Sequence, residues 1–377
     1  MIYLDNAATS GFKPSSVIES ACNVIKYLSV NPGRSGHRLS TTGAELVHGA
    51  RKNLSEFFNN GSSERVVFTK NCTEAINTAI FGLIKKGDHV ITSIFEHNSV
   101  LRPLYTLEEK GIISLSIVSP ENGVRITKND ILKNLNEKTS LVVINYVSNV
   151  TGETNEIKNI GKLLKDKKIT FMVDGAQACG HLNIDLINDN INVLTVAGHK
   201  GLYGILGSGA LIFDKNTQID NTFSGGTGTE TFNKFQPSCY PEKLEAGTLN
   251  LPAICSMSEG VLALFGNVKY LGEETYKLTK YLIDELIKID KVKVYSSPNV
   301  SGVVAFSVSD VPSVEIADEL STKFDIAVRG GFHCAPLMHK FLKTEENGLV
   351  RASLSVHNKK RELKTLIDAV NFISKQL

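Results

Sequence analysis

The sequence has no apolar run near the roughly 18 residues that a membrane-spanning helix requires. Its opening residues, MIYLDNAATS, lack the basic and apolar segments of a secretory signal. None of the six cysteines (Cys22, Cys72, Cys179, Cys239, Cys255 and Cys334) forms a CxxC pair. In a chain of 377 residues that spacing does not read as a disulfide framework. A reduced, cytoplasmic protein is expected, in which each cysteine is judged singly. An excess of one charge is also missing: 41 Lys and Arg face 39 Asp and Glu, for a net charge of +2. That balance gives no electrostatic reason to expect nucleic acid or an acidic membrane surface as partner. Repeats and low-complexity segments are absent too, which excludes solenoids and arrays.

What is present is a globular composition, 42% hydrophobic and 21% charged, in a chain long enough for two lobes. From residue 64 onward, short apolar runs alternate with helix-like segments: RVVFT, DHVITSIF, TSLVVINYV, ITFMVDGA and INVLTVAG. Such runs, separated by helices, predict a mostly parallel sheet covered on both faces. After about residue 250 the pattern changes. SMSEGVLALFGNVKYLGEETYKLTKYLIDELIKI reads as one long amphipathic helix linking two lobes, followed by the strands and helices of a smaller α+β unit. The expected division is a large domain over 15–250 and a small domain made of 1–14 with 251–377.

In parallel sheets ligands bind where strands end, so those positions carry the functional argument. Asp174 closes TFMVD. A carboxylate there is costly without a partner, which is either nearby backbone amides or a cationic ring nitrogen. Lys200 sits between small residues in AGHKGLYG. It is either a solvated charge or a desolvated amine, and desolvation frees a lysine for Schiff-base chemistry. Thr73 and Glu74 open a helix in NCTEAIN, either as an ordinary helix start or as a seat for phosphate. His97 ends a strand in IFEHNS, where its ring is either an ordinary satisfied histidine or a stacking and proton-transfer group. A phosphate seat, a stacking ring, an acid for a ring nitrogen and a reactive lysine are together the equipment that pyridoxal phosphate requires.

These residues lie in an ordered series of motifs: YLDNAAT, NPGRSGHRLS, NCTEAIN, EHNS, VSNVTGE, VDGAQA, GHK, EAGTLN, VRGGFHCA and VRASL. Over nearly its whole length the chain thereby resembles the fold-type I, class V aminotransferase-like enzymes, and among them the cysteine desulfurases and selenocysteine lyases. The resemblance implies an α/β fold-type I transferase, pyridoxal 5'-phosphate as cofactor and a homodimer. It implies that Lys200 binds the cofactor covalently and moves the substrate's α-proton. Asp174 would pair with the ring nitrogen, Gln177 with the ring hydroxyl, and His97 would stack on the ring. Thr73, the amides at Cys72 and Thr73, and His199 would hold the phosphate, with Thr248 reaching the neighbouring subunit's phosphate. Asn149 and Arg351 would bind the substrate carboxylate, Arg351 through its planar fork, and Arg329 would stand nearby. Departures from the pattern are Ala197 where a serine is frequent, with the Gly225–Thr231 loop as a candidate substitute donor, and Cys72 where a threonine is frequent.

Cys334, within RGGFHCAPLMH, has three readings. It is a core cysteine, a metal ligand with His333 and His339, or a nucleophile. The metal reading is weakened because adjacent residues rarely point the same way and no other ligand cluster is evident. The resemblance favours the nucleophile, taking sulfur from L-cysteine as a persulfide and passing it to a sulfur-acceptor protein. His333 and Arg329 are then candidates for favouring its thiolate, Gly330 and Gly331 for letting the loop move, and His339 gains no role. Rival readings are a selenocysteine lyase, another class V aminotransferase or β-lyase, and a non-catalytic scaffold.

Overall fold

A computed structural model describes residues 1–121 and 123–377. The chain begins with a two-residue strand, β1 (Ile2–Tyr3), and two helices, Ser15–Tyr27 and Arg38–Phe58. A seven-stranded sheet follows, made by β2 (Val66–Thr69), β3 (Asp88–Ser93), β4 (Ile113–Val118), β5 (Thr139–Asn145), β6 (Thr170–Asp174), β7 (Val193–Ala197) and β8 (Gly209–Phe213). Their order is β2-β8-β7-β6-β5-β3-β4, and β8 alone runs antiparallel to its neighbours. This is the mostly parallel α/β sheet that the apolar runs predict. Residues of β6 and β7 point into separate cores on the two faces: Phe171 and Val173 with Leu194 and Val196, and Met172 with Val193 and Ala197. Burial on both faces explains why these strands read as continuous apolar runs rather than alternating ones.

The order reverses between β3 and β5. The crevice at their carboxyl ends is the place where such a sheet binds ligands, and it lies between the loops that carry His97 and Asn149.

The second unit holds β9 (Val292–Val294), β10 (Val303–Val308) and β12 (Val350–Ser353) in an antiparallel sheet of order β12-β10-β9. Between the last two lies β11 (Ile326–Ala327), which pairs with β1 in parallel. Leu4, Phe306, Val350, Leu363 and Leu366 share a core of their own here. One expectation is corrected. The long helix after residue 250 is two helices, Leu251–Leu264 and Val268–Leu286, set at 82° to one another. The break falls at Phe265–Gly266–Asn267, where Gly266 adopts a φ of 73°. Leu251, Met257 and Val261 pack into the large-sheet core, while Leu282 and Leu286 pack into the small one. No single helix among the described residues is long and apolar enough to cross a membrane.

The first residues stitch the two units together. Ala7 accepts a hydrogen bond from Gln177, the hydroxyls of Thr9 and Ser10 donate to the His199 carbonyl, and Asp5 pairs with Arg351.

Candidate active site

Asn71, Cys72, Thr73, His97, Asn149, Asp174, Gln177, His199 and Lys200 line one cavity at the carboxyl ends of the large sheet. The strand-end residues singled out in the sequence therefore converge. Asp174 is the last residue of β6 and is buried. Its Oδ1 accepts the Ala176 N–H at 2.9 Å and lies 3.6 Å from the Cys72 thiol. Burial, reinforced by the Asp174 charge, pushes the Cys72 thiol well above its ordinary range, so it stays protonated. Gln177 donates to the Ala7 carbonyl at 3.0 Å, which fixes the side chain beside the cavity.

His97 caps the helix Asn98–Glu109. Its Nδ1 accepts the Ser99 N–H at 3.1 Å, so the proton of the neutral ring sits on Nε2. Burial lowers the His97 pKa against the opposing pull of Asp174. The result is a neutral histidine in the cavity with a transferable proton on a known nitrogen.

Lys200 sits in the turn after β7. The turn can press against residues 178–180 because glycines face each other there. A Cβ on Gly180 would lie 2.1 Å from the Gly201 carbonyl, and one on Gly201 2.1 Å from that of Cys179. Burial lowers the Lys200 pKa; Cys72 and Asp174 oppose the effect, and the guanidinium groups of Arg351 and Arg329 add to it. A buried amine shifted in this direction is more readily a neutral nucleophile.

Cofactor fit can be judged from groups left without partners. Cys72 and Thr73 begin the helix Cys72–Leu83, so their N–H groups have no intrahelical acceptor, while Asn71 takes the N–H of Glu74 at 2.9 Å. His199 lowers into the same cavity a buried Nδ1 that has no partner. Burial drops its pKa to about 4, so the ring is neutral at neutral pH. Free donors at a helix start, a neutral imidazole, a buried carboxylate and a buried amine suit a phosphorylated pyridine aldehyde. Ala197 lines the cavity without a donor. Within its own chain the Gly225–Thr231 loop stands apart from that cavity. Gly226 and Gly228 stand against Arg34, and residues 227–229 line a different cavity. Thr248 also lies apart, in a depression with Lys70 and Glu74.

Cys334 is exposed on the loop between β11 and the helix Pro336–Leu342. Its carbonyl accepts the Asn98 N–H at 2.8 Å, next to His97. Asn149 Nδ2 donates to the His333 carbonyl at 2.7 Å, and Arg329 Nη2 lies 4.0 Å from the Cys334 sulfur. Two expectations fail here. His333 does not tune the thiol. It is buried, and its Nε2 lies 3.0 Å from the Leu349 carbonyl. Gly330 and Gly331 are not a hinge. A Cβ on Gly330 would meet the Ser313 carbonyl at 2.5 Å, and Gly331 has a φ of 108° with its N–H bonded to Ser313 Oγ. These glycines allow close approach and a left-handed turn.

Arg351 is 1% exposed. It donates through Nη1 to the Asn149 carbonyl and through Nη2 to Asp5, both at 3.0 Å, and its Nε is buried without a partner. Sequence reasoning missed Asp5, although it stands in the quoted motif YLDNAAT. It also missed Glu96 and Asn145. Glu96, the residue before His97, is fully buried and accepts from Ser93 Oγ at 2.6 Å and from Asn145 N at 3.0 Å. The signal for Glu96 was its place before His97 at a strand end.

Comparison with known proteins agrees with this geometry. The aminotransferase class-V family model matches residues 2–366. A protein named probable cysteine desulfurase from Methanothermobacter thermautotrophicus is 30% identical, over 99% of this chain and 94% of its own. Another of that name, from Pyrococcus abyssi, is 31% identical over 100% of this chain and 95% of its own. The apo structure of cysteine desulfurase from Thermococcus onnurineus NA1 superposes with a TM-score of 0.91 at 29% identity, covering 100% of this chain and 95% of that one. The chain belongs to the aminotransferase class-V family and groups there with proteins named cysteine desulfurase.

Proposed function

We propose that the protein is a cysteine desulfurase that uses pyridoxal 5'-phosphate to convert L-cysteine to L-alanine, with the sulfur taken by Cys334. The observation that carries this reading is the exposed Cys334 thiol, whose own carbonyl is bonded to the residue after His97, beside the cavity of the buried Lys200. Lys200 would hold the cofactor covalently, Asp174 its ring nitrogen, Gln177 its ring hydroxyl, and the helix start at Cys72 and Thr73 with His199 its phosphate. When bound, the cofactor supplies a conjugated ring that draws electrons from the substrate's α-carbon.

This chain's residues do the rest. Arg351 has five N–H groups and spends two on Asp5 and Asn149. It keeps donors for the substrate carboxylate, with Asn149 and Arg329 beside it. Lys200, freed as a neutral amine, takes the α-proton and later returns it. His97 moves protons through Nε2. The Cys334 thiolate attacks the substrate sulfur. The Cβ–S bond breaks with its electron pair going to Cβ, Cβ takes a proton to become the methyl group of alanine, and Cys334 becomes a persulfide. Atoms and electrons balance without an outside oxidant or reductant. The persulfide then passes to a sulfur-acceptor protein.

Thr248 stands outside its own chain's cavity, beside Phe223 and in a segment where Phe232 is 100% exposed. This placement supports a homodimer in which Thr248 serves the neighbouring phosphate. Intact-mass analysis after incubation with cysteine tests the reading. One added sulfur on Cys334, absent in Cys334→Ala, is expected. Alanine formation by Cys334→Ala at the wild-type rate would overturn it.

A further inference from the structure

The turn that carries Lys200 runs from Ala197 to Gly204 and closes on itself. The Gly204 N–H donates to the Gly198 carbonyl at 2.8 Å, and the Tyr203 N–H to that of Lys200 at 3.0 Å. Two further carbonyls of the turn are taken by residues near the start of the chain. The His199 carbonyl accepts from the Ser10 N–H and from Thr9 Oγ1, each at 3.0 Å, and from Ser10 Oγ at 3.2 Å. The Gly204 carbonyl accepts from Lys13 Nζ at 2.8 Å. Lys13 Nζ also donates to Ser10 Oγ at 3.0 Å. One ammonium thus joins both sides of Lys200, directly at Gly204 and through the Ser10 hydroxyl at His199.

Nothing local accounts for a lysine at this place. It stands just before Pro14, the N-cap of the helix Ser15–Tyr27, whose first turn holds no acidic residue. A positive charge at a helix start is unfavourable. Lys13 is also half-buried, and burial lowers its pKa with no carboxylate among the described residues opposing the shift. An ammonium desolvated without an ionic partner is costly, and its bonds to Gly204 and Ser10 are what offset that cost. The neighbouring residue reinforces the contact. Phe12 meets the Tyr203 ring edge-on at 6.2 Å and stacks on His357 at 3.6 Å. Tyr203 has a φ of 60°, a left-handed conformation that a residue with a Cβ adopts only when its surroundings enforce it. Phe12 and Lys13 therefore grip consecutive residues of the turn, Tyr203 and Gly204. Lys13 does not line the cavity of Lys200, so it acts through the turn and not on a ligand.

We propose that Lys13 is a positioning residue for Lys200: its ammonium, shared between the Gly204 carbonyl and the Ser10 hydroxyl, locks the turn against the first residues of the chain and so fixes the base of the Lys200 side chain. The proposal rests on the reading of Lys200 as the lysine that holds the cofactor. A lysine side chain is long and flexible, so the reach of its amine is only as well defined as the backbone that carries it. The same lock holds His199, whose unpartnered Nδ1 faces the cavity.

The test uses the full-length protein with Lys13→Met, Lys13→Arg and Ser10→Ala. Lys13→Met keeps the length of the side chain and removes its donors. It should slow the capture of pyridoxal phosphate by the cofactor-free protein, followed by absorbance, on the order of tenfold, as expected when a reacting group is slightly misplaced. In the loaded enzyme kcat for alanine formation should fall by a similar factor, with KM for cysteine within about twofold. The Tyr203 and Gly204 amides should exchange faster with deuterated solvent, while those of β6 and β7 keep their wild-type rates. Lys13→Arg, which retains a charged donor, should restore most of the capture rate. Unchanged capture and unchanged exchange in Lys13→Met would overturn the proposal. Faster exchange throughout β6 and β7 would overturn it too, because Lys13 would then support the whole domain and not the turn. If Lys13→Met fails to fold, Ser10→Ala, which removes the hydroxyl link alone, should still slow capture by a smaller factor, and an unchanged rate overturns the proposal. If the wild type captures no pyridoxal phosphate or makes no alanine from cysteine, the desulfurase reading fails instead, while amide exchange in Lys13→Met still decides whether Lys13 holds the turn.

Discussion

In the cavity beside Lys200, His199 Nδ1 and Asn149 Oδ1 are buried without partners. In the loop that carries Cys334, by contrast, the carbonyls of Gly331, Phe332, His333 and Cys334 all accept hydrogen bonds. The two regions face each other across the same crevice, yet they spend their polar groups differently. A cavity proposed to grip a phosphorylated ring keeps polar groups in reserve, because a buried group already satisfied gains little from a ligand. A loop proposed to hold one sulfur in place satisfies these backbone carbonyls and leaves the thiol exposed. On the proposed reading, affinity and precision are thus assigned to different loops.

The sharpest way to break this division is Lys200→Ala. It should remove retained cofactor absorbance after gel filtration and lower alanine formation by about 10⁴-fold. The Cys334 loop should be unchanged, as read by amide exchange at Asn98 and Ala335. Altered exchange there would show that loop and cavity are one unit. A smaller effect is expected at the seam between them. Asp5→Asn keeps the shape but removes the charge that holds Arg351. KM for cysteine should rise about tenfold, with cofactor binding unaffected. A change in kcat alone would place Asp5 in some other role.

The smallest effect concerns Glu96, buried next to His97. Burial raises the Glu96 pKa from 4.5 to about 8, against the donors Ser93 and Asn145 and with Asp174 adding to the rise. The folded protein therefore keeps a proton that the unfolded chain releases above 4.5. The contribution of Glu96 to stability is full below that value and declines as pH rises through about 8. Glu96→Gln should flatten the fall in urea midpoint across this range. An equally steep fall in the variant would assign the pH dependence to other groups.

How much of this was legible in the sequence depends on whether the signal was local. Buried strands announce themselves as apolar runs, and Asp174, His97 and Lys200 stand at their ends, so periodicity alone led to them. The helix break at Gly266 was hidden, because apolar spacing continues through Phe265 on both sides and only packing against two different cores demands the bend. Glycines misled at 330–331. A glycine signals either freedom or close approach, and the neighbour that decides, Ser313, is remote in sequence. The same holds for Asp5, whose meaning is set by an arginine 346 positions away.

That separation also orders events in time. Ala7, Thr9 and Ser10, which contact Gln177 and His199, are made long before Arg351. The large sheet has all its strands by residue 213, yet Asp5 must wait for β12 to meet its partner. A nascent chain can therefore build the sheet and the proposed phosphate seat before Arg351 exists, and the proposed grip on the substrate is completed only when Arg351 joins Asp5.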